Sequence, residues 1–245
     1  MFTKLLGVSA GLILSVAGVA PGADNMPTKF TVRIENITKP DAFTATTGVK
    51  WSLGFSPGVV VVHTDKGPIF NAEKKDRGQE LEAQSEDGDP SMLAKSLQGG
   101  KGIKSVAVFN TPVGASAPGP VTPSAAYEVT ISAMPGDRLS LTTMMGQSND
   151  WFYAPAESGI PLFENGKPIS GDITSQIILW DAGTEVNQEP GIGPDQGPRQ
   201  KAPNTGEAEN GVVRNAKDVK YGPAFSKVSS VMHVTIKPAQ APGAN

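Results

Sequence analysis

Short strand-like segments separated by proline and glycine turns run through most of this chain. This regular spacing of turns limits the fold classes that the chain can adopt. Lys29–Ile37 alternates apolar and polar residues, and Val59–His63 is a short apolar run of the buried type. Further strands are predicted at Ser105–Asn110, Tyr127–Ala133, Arg138–Met145, Thr174–Trp180 and Ser230–Lys237. About seven or eight strands with this spacing predict an all-β fold of the β-sandwich type.

Proline and glycine clusters mark the predicted turns. Ser56-Pro57-Gly58 and Pro118-Gly119-Pro120 are two of them, and Pro135-Gly136-Asp137 is predicted to be a tight hairpin turn between two strands. The segment Val186–Pro223 is rich in glycine, proline, asparagine and glutamate and has almost no apolar periodicity. It is predicted to be an extended loop over one end of the sandwich, and loops of this length are usually functional or disordered.

One region departs from the strand pattern. Arg77–Leu97 has the charge and leucine spacing of short helices. Asp89 followed by Pro90 suits a helix start, because aspartate caps free backbone N–H groups and proline fits the first turn, and Gly99-Gly100 suits a helix end. One or two short helices are therefore expected beside the sheets.

The first residues have the pattern of a secretory signal peptide. Lys4 supplies a positive charge, an apolar run follows from Leu5, and small residues lie near Ala20 and Ala23. Glycines and serines interrupt the run, and it is short for a bilayer span of about 20 residues. The prediction is a signal peptide over residues 1–23, one domain over residues 24–238 and a flexible tail over residues 239–245, in a secreted or periplasmic protein. No later segment is predicted to span a membrane.

Charge and cysteine content exclude several functions. The chain has a net charge of −3 and no cysteine. Removal of the predicted signal peptide also removes Lys4, so the net charge of the remaining chain is −4. Nucleic acid is therefore not an expected partner, because no basic patch would neutralise its phosphates. Without cysteine the chain has no disulfide, thiolate metal site or thiol nucleophile, so packing must supply its stability.

Acidic residues follow two of the predicted strands. Asp150 comes after Arg138–Met145, Asp181 follows the apolar run Ile177–Trp180, and Glu185 lies beyond a glycine turn. Carboxylates on neighbouring loop tips suit a hard cation such as calcium, which takes about six to eight oxygen ligands in irregular geometry. Their mutual repulsion would be costly without a cation. The alternative is that both aspartates form or cap turns and that Glu185 is solvated.

The aromatic and histidine side chains give weaker signals. Trp151 and Trp180 are predicted to be core anchors rather than stacking platforms for a ligand. His63 and His233 each lie in a strand-like run, far apart in the sequence, and are predicted to be ordinary strand residues rather than a catalytic pair. No catalytic residue and no organic cofactor site is predicted.

Two segments resemble the spondin domain, the N-terminal module of F-spondin that also occurs alone in bacterial exported proteins. They are Thr143–Trp151, with the sequence TMMGQSNDW, and Trp180–Glu185, with the sequence WDAGTE. The resemblance spans roughly residues 28–238 and also includes Ser56-Pro57-Gly58, the Gly78–Pro90 segment and the closing strand Val231–Ile236. It therefore covers nearly all of the chain after the predicted signal peptide.

This resemblance implies an antiparallel β-sandwich related to C2 domains, with a calcium ion bound at one end by acidic loop residues. The motif aspartates of the family match Asp150 and Asp181, and the third family position falls on Glu185, where the animal proteins have aspartate. This chain lacks cysteine and the reeler and thrombospondin-type modules of the animal protein. Cell adhesion and axon guidance therefore do not transfer to it.

The resulting prediction is an exported, non-enzymatic, calcium-binding domain that acts as a binding or surface-interaction module. Asp150, Asp181 and Glu185 are the predicted ligands, and the partner is expected to be an extracellular or envelope glycan, lipid head group or protein. One alternative is an exported hydrolase that uses the same cation to activate water. Another is a purely structural sandwich with an empty site.

Overall fold

The computed structural model describes residues 26–78 and 80–239, and β-strands dominate it. The predicted signal peptide and the end of the predicted tail, residues 240–245, lie outside the described residues. The described strands are β1 (Thr28–Asn36), β2 (Phe43–Thr44), β3 (Lys50–Trp51), β4 (Phe55–His63), β5 (Ile103–Phe109), β6 (Ala126–Ala133), β7 (Arg138–Met145), β8 (Trp151–Pro155), β9 (Ile160–Pro161), β10 (Phe163–Glu164), β11 (Lys167–Pro168), β12 (Gly171–Asp172), β13 (Ile177–Asp181), β14 (Arg214–Asn215) and β15 (Met232–Pro238). The helices are α1 (Glu80–Glu86) and α2 (Ser91–Leu97).

Two antiparallel sheets form a sandwich. The smaller sheet has the strand order β12-β15-β1-β6, and the larger has the order β14-β13-β8-β7-β4-β5, with β9 paired to β7. The short hairpins β2-β3 and β10-β11 lie outside these two sheets. The pairings along both sheets are antiparallel. The predicted all-β sandwich with short helices is confirmed.

The large sheet is buried on both faces, and β4 shows how. Successive side chains of a strand point to opposite faces. Val60 and Val62 therefore join the core between the sheets, while Val59 and Val61 join a second apolar cluster on the outer face. The helices cover that outer face, with Leu81 of α1 fully buried in the second cluster. This double burial explains the continuous apolar run that the sequence shows.

The two helices lie within the predicted segment. Pro90, and not Asp89 as predicted, is at the N-cap position of α2, although Asp89 Oδ1 accepts the Ser91 N–H at 2.8 Å. Gly99 follows α2 with φ +72°, a conformation that favours glycine at a helix end. Within the described residues, neither helix is long and apolar enough to cross a bilayer.

The segment Ser56-Pro57-Gly58 was predicted to be a turn, but it lies inside β4. The pairing of β4 with β7 shifts register between Phe55 and Gly58, which is the signature of a β-bulge. A bulge accommodates a proline that cannot donate to the ladder. Gly58 also allows a close approach of β7, since a Cβ there would lie 2.0 Å from the Thr142 carbonyl oxygen.

The segment Pro135-Gly136-Asp137 forms a turn, but the prediction of a hairpin is wrong. It joins β6 to β7, and these strands belong to different sheets. Asp137 Oδ2 accepts the Met134 N–H at 2.8 Å and holds this corner. The local sequence specifies a tight turn, whereas the choice of sheet depends on which face of each strand is buried.

Candidate metal centre

Two neighbouring strands of the large sheet bring Asp150 and Asp181 together. Asp181 is the last residue of β13 and pairs with Trp151, the first residue of β8. Asp150 directly precedes β8, and its carbonyl oxygen accepts the Ala182 N–H at 3.1 Å. Both aspartates have 0% exposure. Two carboxyl groups are thus buried at the same end of the large sheet.

The two oxygens of Asp150 have different surroundings. Oδ2 accepts the N–H groups of Thr184 and Glu185 at 3.1 and 3.2 Å, and the Thr184 hydroxyl lies 3.5 Å from it. Asp150 therefore holds the glycine turn after β13, as the capping alternative proposed. Oδ1 is buried and, within the described residues, has no hydrogen-bond partner. One oxygen of this side chain remains available to a ligand.

The two carboxylate oxygens of Asp181 also differ in their surroundings. Its Oδ2 accepts the Trp151 indole N–H at 3.2 Å and the Asn187 side-chain N–H at 2.5 Å. Its Oδ1 is buried without a hydrogen-bond partner among the described residues, and the nearest cation is Arg214, with Nε 3.6 Å away. The indole and the amide fix the orientation of the carboxylate and leave Oδ1 free to bind.

A third carboxyl group, that of Glu209, comes from the long loop. Residues 207–211 pair with the turn after β13: the Glu209 N–H donates to the Thr184 carbonyl at 2.8 Å, and the Gly211 N–H donates to the Gly183 carbonyl at 2.7 Å. Gly183 has φ +69°, and a Cβ there would lie 2.6 Å from the Val212 carbonyl oxygen. The glycine thus permits the close approach that delivers Glu209.

The three carboxyl groups converge. One ligand atom each from Asp150, Asp181 and Glu209 lies within 4.8 Å of the other two. Glu209 Oε1 accepts from the Arg214 guanidinium, while Glu209 Oε2 is buried without a hydrogen-bond partner in the described part of the chain. Each of the three residues therefore has one buried oxygen without a hydrogen bond, and within the described residues the half-buried Arg214 forms ion pairs with Asp181 and Glu209.

The surroundings of the two aspartates disfavour their charged forms. Burial, followed by the nearby Asp181 charge, raises the pKa of Asp150 well above its usual value. Burial also raises the pKa of Asp181, although the Asn187 amide and the Arg214 guanidinium act in the opposite direction. Carboxyl groups in such a position either take up a proton or remain ionised beside a bound cation that offsets their repulsion.

Glu185 lies in the same turn, but its carboxyl group is not one of the three converging groups. Its backbone N–H reaches Asp150, whereas its side chain lies beside the Asn149 amide. The residue is only 4% exposed, so it is not a solvated surface glutamate. Burial, followed by the charge of Glu86, raises the pKa of Glu185 to about 8.

The two histidines lie away from these carboxyl groups. His63 pairs with Arg138, at the opposite end of β7 from the residues that lead to Asp150, and is fully buried. Its Nε2 hydrogen-bonds the Ser140 hydroxyl at 2.9 Å. His233 in β15 has a half-exposed side chain, with Asp172 Oδ2 3.6 Å from its Nε2. Neither ring is positioned as a base at the acidic end.

Two tryptophans and a cavity lie near the acidic residues. Trp151 and Trp180 are 1% and 8% exposed, which confirms the prediction that they are core anchors. A cavity of about 440 Å³ lies between the loops, lined by residues that include Phe55, Met144 and Gln147. This cavity is mostly apolar, and Gln147 lies only three residues before Asp150 in the chain.

No protein-family model matches this chain, and no curated protein matches it. The resemblance to the spondin domain therefore stays a prediction from the motif residues. Sequence reasoning nominated Asp150 and Asp181, which the structure brings together, but it did not nominate Glu209. That residue lies in a segment without apolar periodicity, and only the pairing of residues 207–211 with the turn after β13 brings it to the site.

Proposed function

We propose that this chain is an exported, calcium-binding β-sandwich of the spondin type that acts as a binding or surface-interaction module. The observation that carries this proposal is the convergence of the Asp150, Asp181 and Glu209 carboxyl groups, each of which has one buried oxygen without a hydrogen-bond partner among the described residues. The motif resemblance supports the choice of family, and the site supports the choice of a cation.

The spacing of the three oxygens suits one ion. Calcium binds oxygen at about 2.4 Å, so two oxygens on one ion are at most about 4.8 Å apart. The three ligand atoms fall within that limit. Asp150, Asp181 and Glu209 then supply part of the coordination shell, and backbone carbonyls and water can supply the rest. Calcium fits better than magnesium, which requires near-ideal octahedral geometry and retains more of its water.

The cation would order one end of the sandwich. It would join β8, β13 and the loop that carries Glu209, and metal binding of this kind contributes to the free energy of folding. The loops at that end also line the cavity near Gln147. We infer that this end contacts the partner, a glycan, lipid head group or protein outside the cell.

We infer a binding role rather than hydrolysis. A metal-dependent hydrolase needs a general base beside an open coordination position. His63 is buried at the other end of β7, and the His233 ring contacts Asp172 of the small sheet. Among the described residues, these histidines give the cation no neighbouring imidazole base.

Calorimetric titration of the mature protein with calcium tests this proposal. We expect calcium to bind and to raise the melting temperature, and we expect Asp181→Asn to lose binding at this site and the part of the melting-temperature rise that depends on it, since the variant loses a ligand charge. Asp65→Asn is the matched control, because Asp65 is half exposed next to His63 at the opposite end of the sheet. Identical melting curves in calcium and in chelator for the unmodified protein would refute the proposal.

A further inference from the structure

Two more carboxyl groups, those of Glu86 and Glu185, are buried near the first site. Glu86 is the last residue of α1 and is 2% exposed, and Glu185 follows β13 and is 4% exposed. Oε2 of each residue has no hydrogen-bond partner within the described residues. A buried carboxylate oxygen without a donor is costly, so each of these oxygens points to an additional ligand.

Thr184 contacts both groups of carboxyls. Its N–H and hydroxyl lie 3.1 and 3.5 Å from Asp150 Oδ2, and its side chain also hydrogen-bonds the Glu86 carboxyl. Glu185 is the next residue along the chain, and its own N–H reaches Asp150. Thr184 therefore contacts both Asp150 of the first site and Glu86, and Glu185 is its neighbour in the chain.

The Glu185 carboxyl packs against the backbone of Gly206, where no side chain would fit. A Cβ on Gly206 would lie 2.5 Å from Glu185 Oε1, which is closer than any side chain could approach. The glycine backbone thus closes over the carboxyl without displacing it. Enclosure of this kind removes water from Glu185 and increases the cost of its charge.

Among the described residues, the charges with the largest effect on Glu86 and Glu185 are negative. The charges that act most on Glu86 and Glu185 come from other carboxylates, with Glu82 and Asp195 among them. The two sites together hold five buried or half-buried carboxyl groups, and Arg214 is the guanidinium that pairs with them. Fully ionised, these groups carry −4, which one divalent ion would halve and two would neutralise.

We propose that Glu86 and Glu185 hold a second divalent, oxygen-preferring cation of the calcium type, next to the first site but distinct from it. The unpartnered oxygens on α1 and on the turn after β13 are its protein ligands, and its charge completes the neutralisation. This second ion would attach the helical layer to the metal-bearing end of the large sheet. The proposal does not depend on the identity of the family.

Protonation is the competing explanation for the same geometry. Burial raises the pKa of Glu86 to about 7, and burial with the Glu86 charge raises the pKa of Glu185 to about 8. Two carboxyl groups of this kind can share a proton instead of an ion. The two explanations differ in the number of calcium ions that the folded protein binds at saturation.

Equilibrium dialysis with radioactive calcium at pH 8 counts the bound ions. We expect two ions per chain for the unmodified protein and one for each of Glu86→Gln and Glu185→Gln, because glutamine retains the size of the side chain but removes its charge. Glu164→Gln, at an exposed glutamate of β10, is the matched control and should retain two. Two variants on different elements keep the test valid if one of them fails to fold.

The outcomes separate this proposal from the proposed function. Asp181→Asn should bind one ion, and the double variant Asp181→Asn with Glu86→Gln should bind none. If Glu86→Gln and Glu185→Gln both bind as many ions as the unmodified protein, the second site does not exist and the first is unaffected. If either folded variant binds no ion, the pair supports the first site instead, and the proposal is overturned.

Discussion

At the scale of single residues, Asp150 shows that turn capping and cation binding are compatible. The sequence offered them as alternatives, because a turn aspartate explains the pattern without a metal. In the structure Oδ2 caps the turn through Thr184 and Glu185, while Oδ1 is buried without a partner in the described residues. One carboxyl group can thus hold the turn and provide a ligand atom. Sequence spacing cannot assign separate roles to two oxygens of one side chain.

Asp150→Asn separates these two roles. The amide oxygen can still accept the two backbone N–H groups, and the loss of charge removes repulsion from Asp181. We therefore expect the calcium-free variant to be as stable as the unmodified protein or more stable, by on the order of 1 kcal/mol. Calcium should raise the melting temperature of this variant less than that of the unmodified protein, because only the Glu86–Glu185 site would remain. Thermal unfolding in chelator and in calcium measures both effects, and a full calcium response in this variant would contradict the assignment.

At the scale of elements, the positions of the strands were easier to predict from the sequence than the pairing between strands. The predicted segment Arg138–Met145 coincides with β7, because it is long and its apolar character is unambiguous. Strand β8 was not predicted, since its run of five residues is short and ends at Pro155. This strand lies between β7 and β13 and brings Asp150 to Asp181. The residues of the first site were therefore partly predictable, whereas the strand that brings them together was not.

The packing of α1 on the large sheet can be tested with Leu81→Ala. Leu81 is fully buried in the outer apolar cluster, so its truncation should lower the free energy of unfolding by about 2–4 kcal/mol. Met92→Ala on α2 is the control, because Met92 is 50% exposed and should cost well under 1 kcal/mol. Urea unfolding of both variants measures the difference. Equal losses would mean that the helical layer does not pack as described.

At the scale of the whole molecule, acidic groups are collected at one end of a sandwich whose overall charge is small. The net charge of the chain is only −3, yet several carboxyls are buried within one group of loops. Composition alone therefore gives no indication of the site. The strand order and the pairing of residues 207–211 create the concentration of charge, and both depend on contacts between segments that are far apart in the sequence.

This concentration of charge predicts how stability varies with pH. Glu86 and Glu185 have pKa values of about 7 and 8 in the folded state and near 4.5 when unfolded, so the folded chain binds more protons between these values. Stability of the calcium-free protein should therefore be greatest below about pH 5 and should fall towards pH 8. Between pH 5 and pH 8 the two shifts correspond to a loss on the order of 6 kcal/mol, or about 12–24 °C in melting temperature.

Melting curves in chelator from pH 5 to pH 8 measure this effect. Calcium should oppose the loss, because the ion replaces the protons, so the difference between calcium and chelator should increase with pH. Glu86→Gln should flatten the curve in chelator, since one titrating group is absent. A melting temperature in chelator that rises between pH 5 and pH 8 would contradict the buried position of these carboxyls.

The pairing of residues 207–211 with the turn after β13 also has a kinetic consequence. Glu209 reaches the first site only when the chain between residues 187 and 206 closes as a loop, and this closure has an entropic cost. We therefore expect the site to be incomplete in the transition state for folding. An ion bound there stabilises contacts that the transition state lacks, so it should act mainly by slowing unfolding and should change the folding rate little. Slower unfolding would lengthen the lifetime of each folded molecule, so the bound cation would act on kinetic stability more than on the rate of folding.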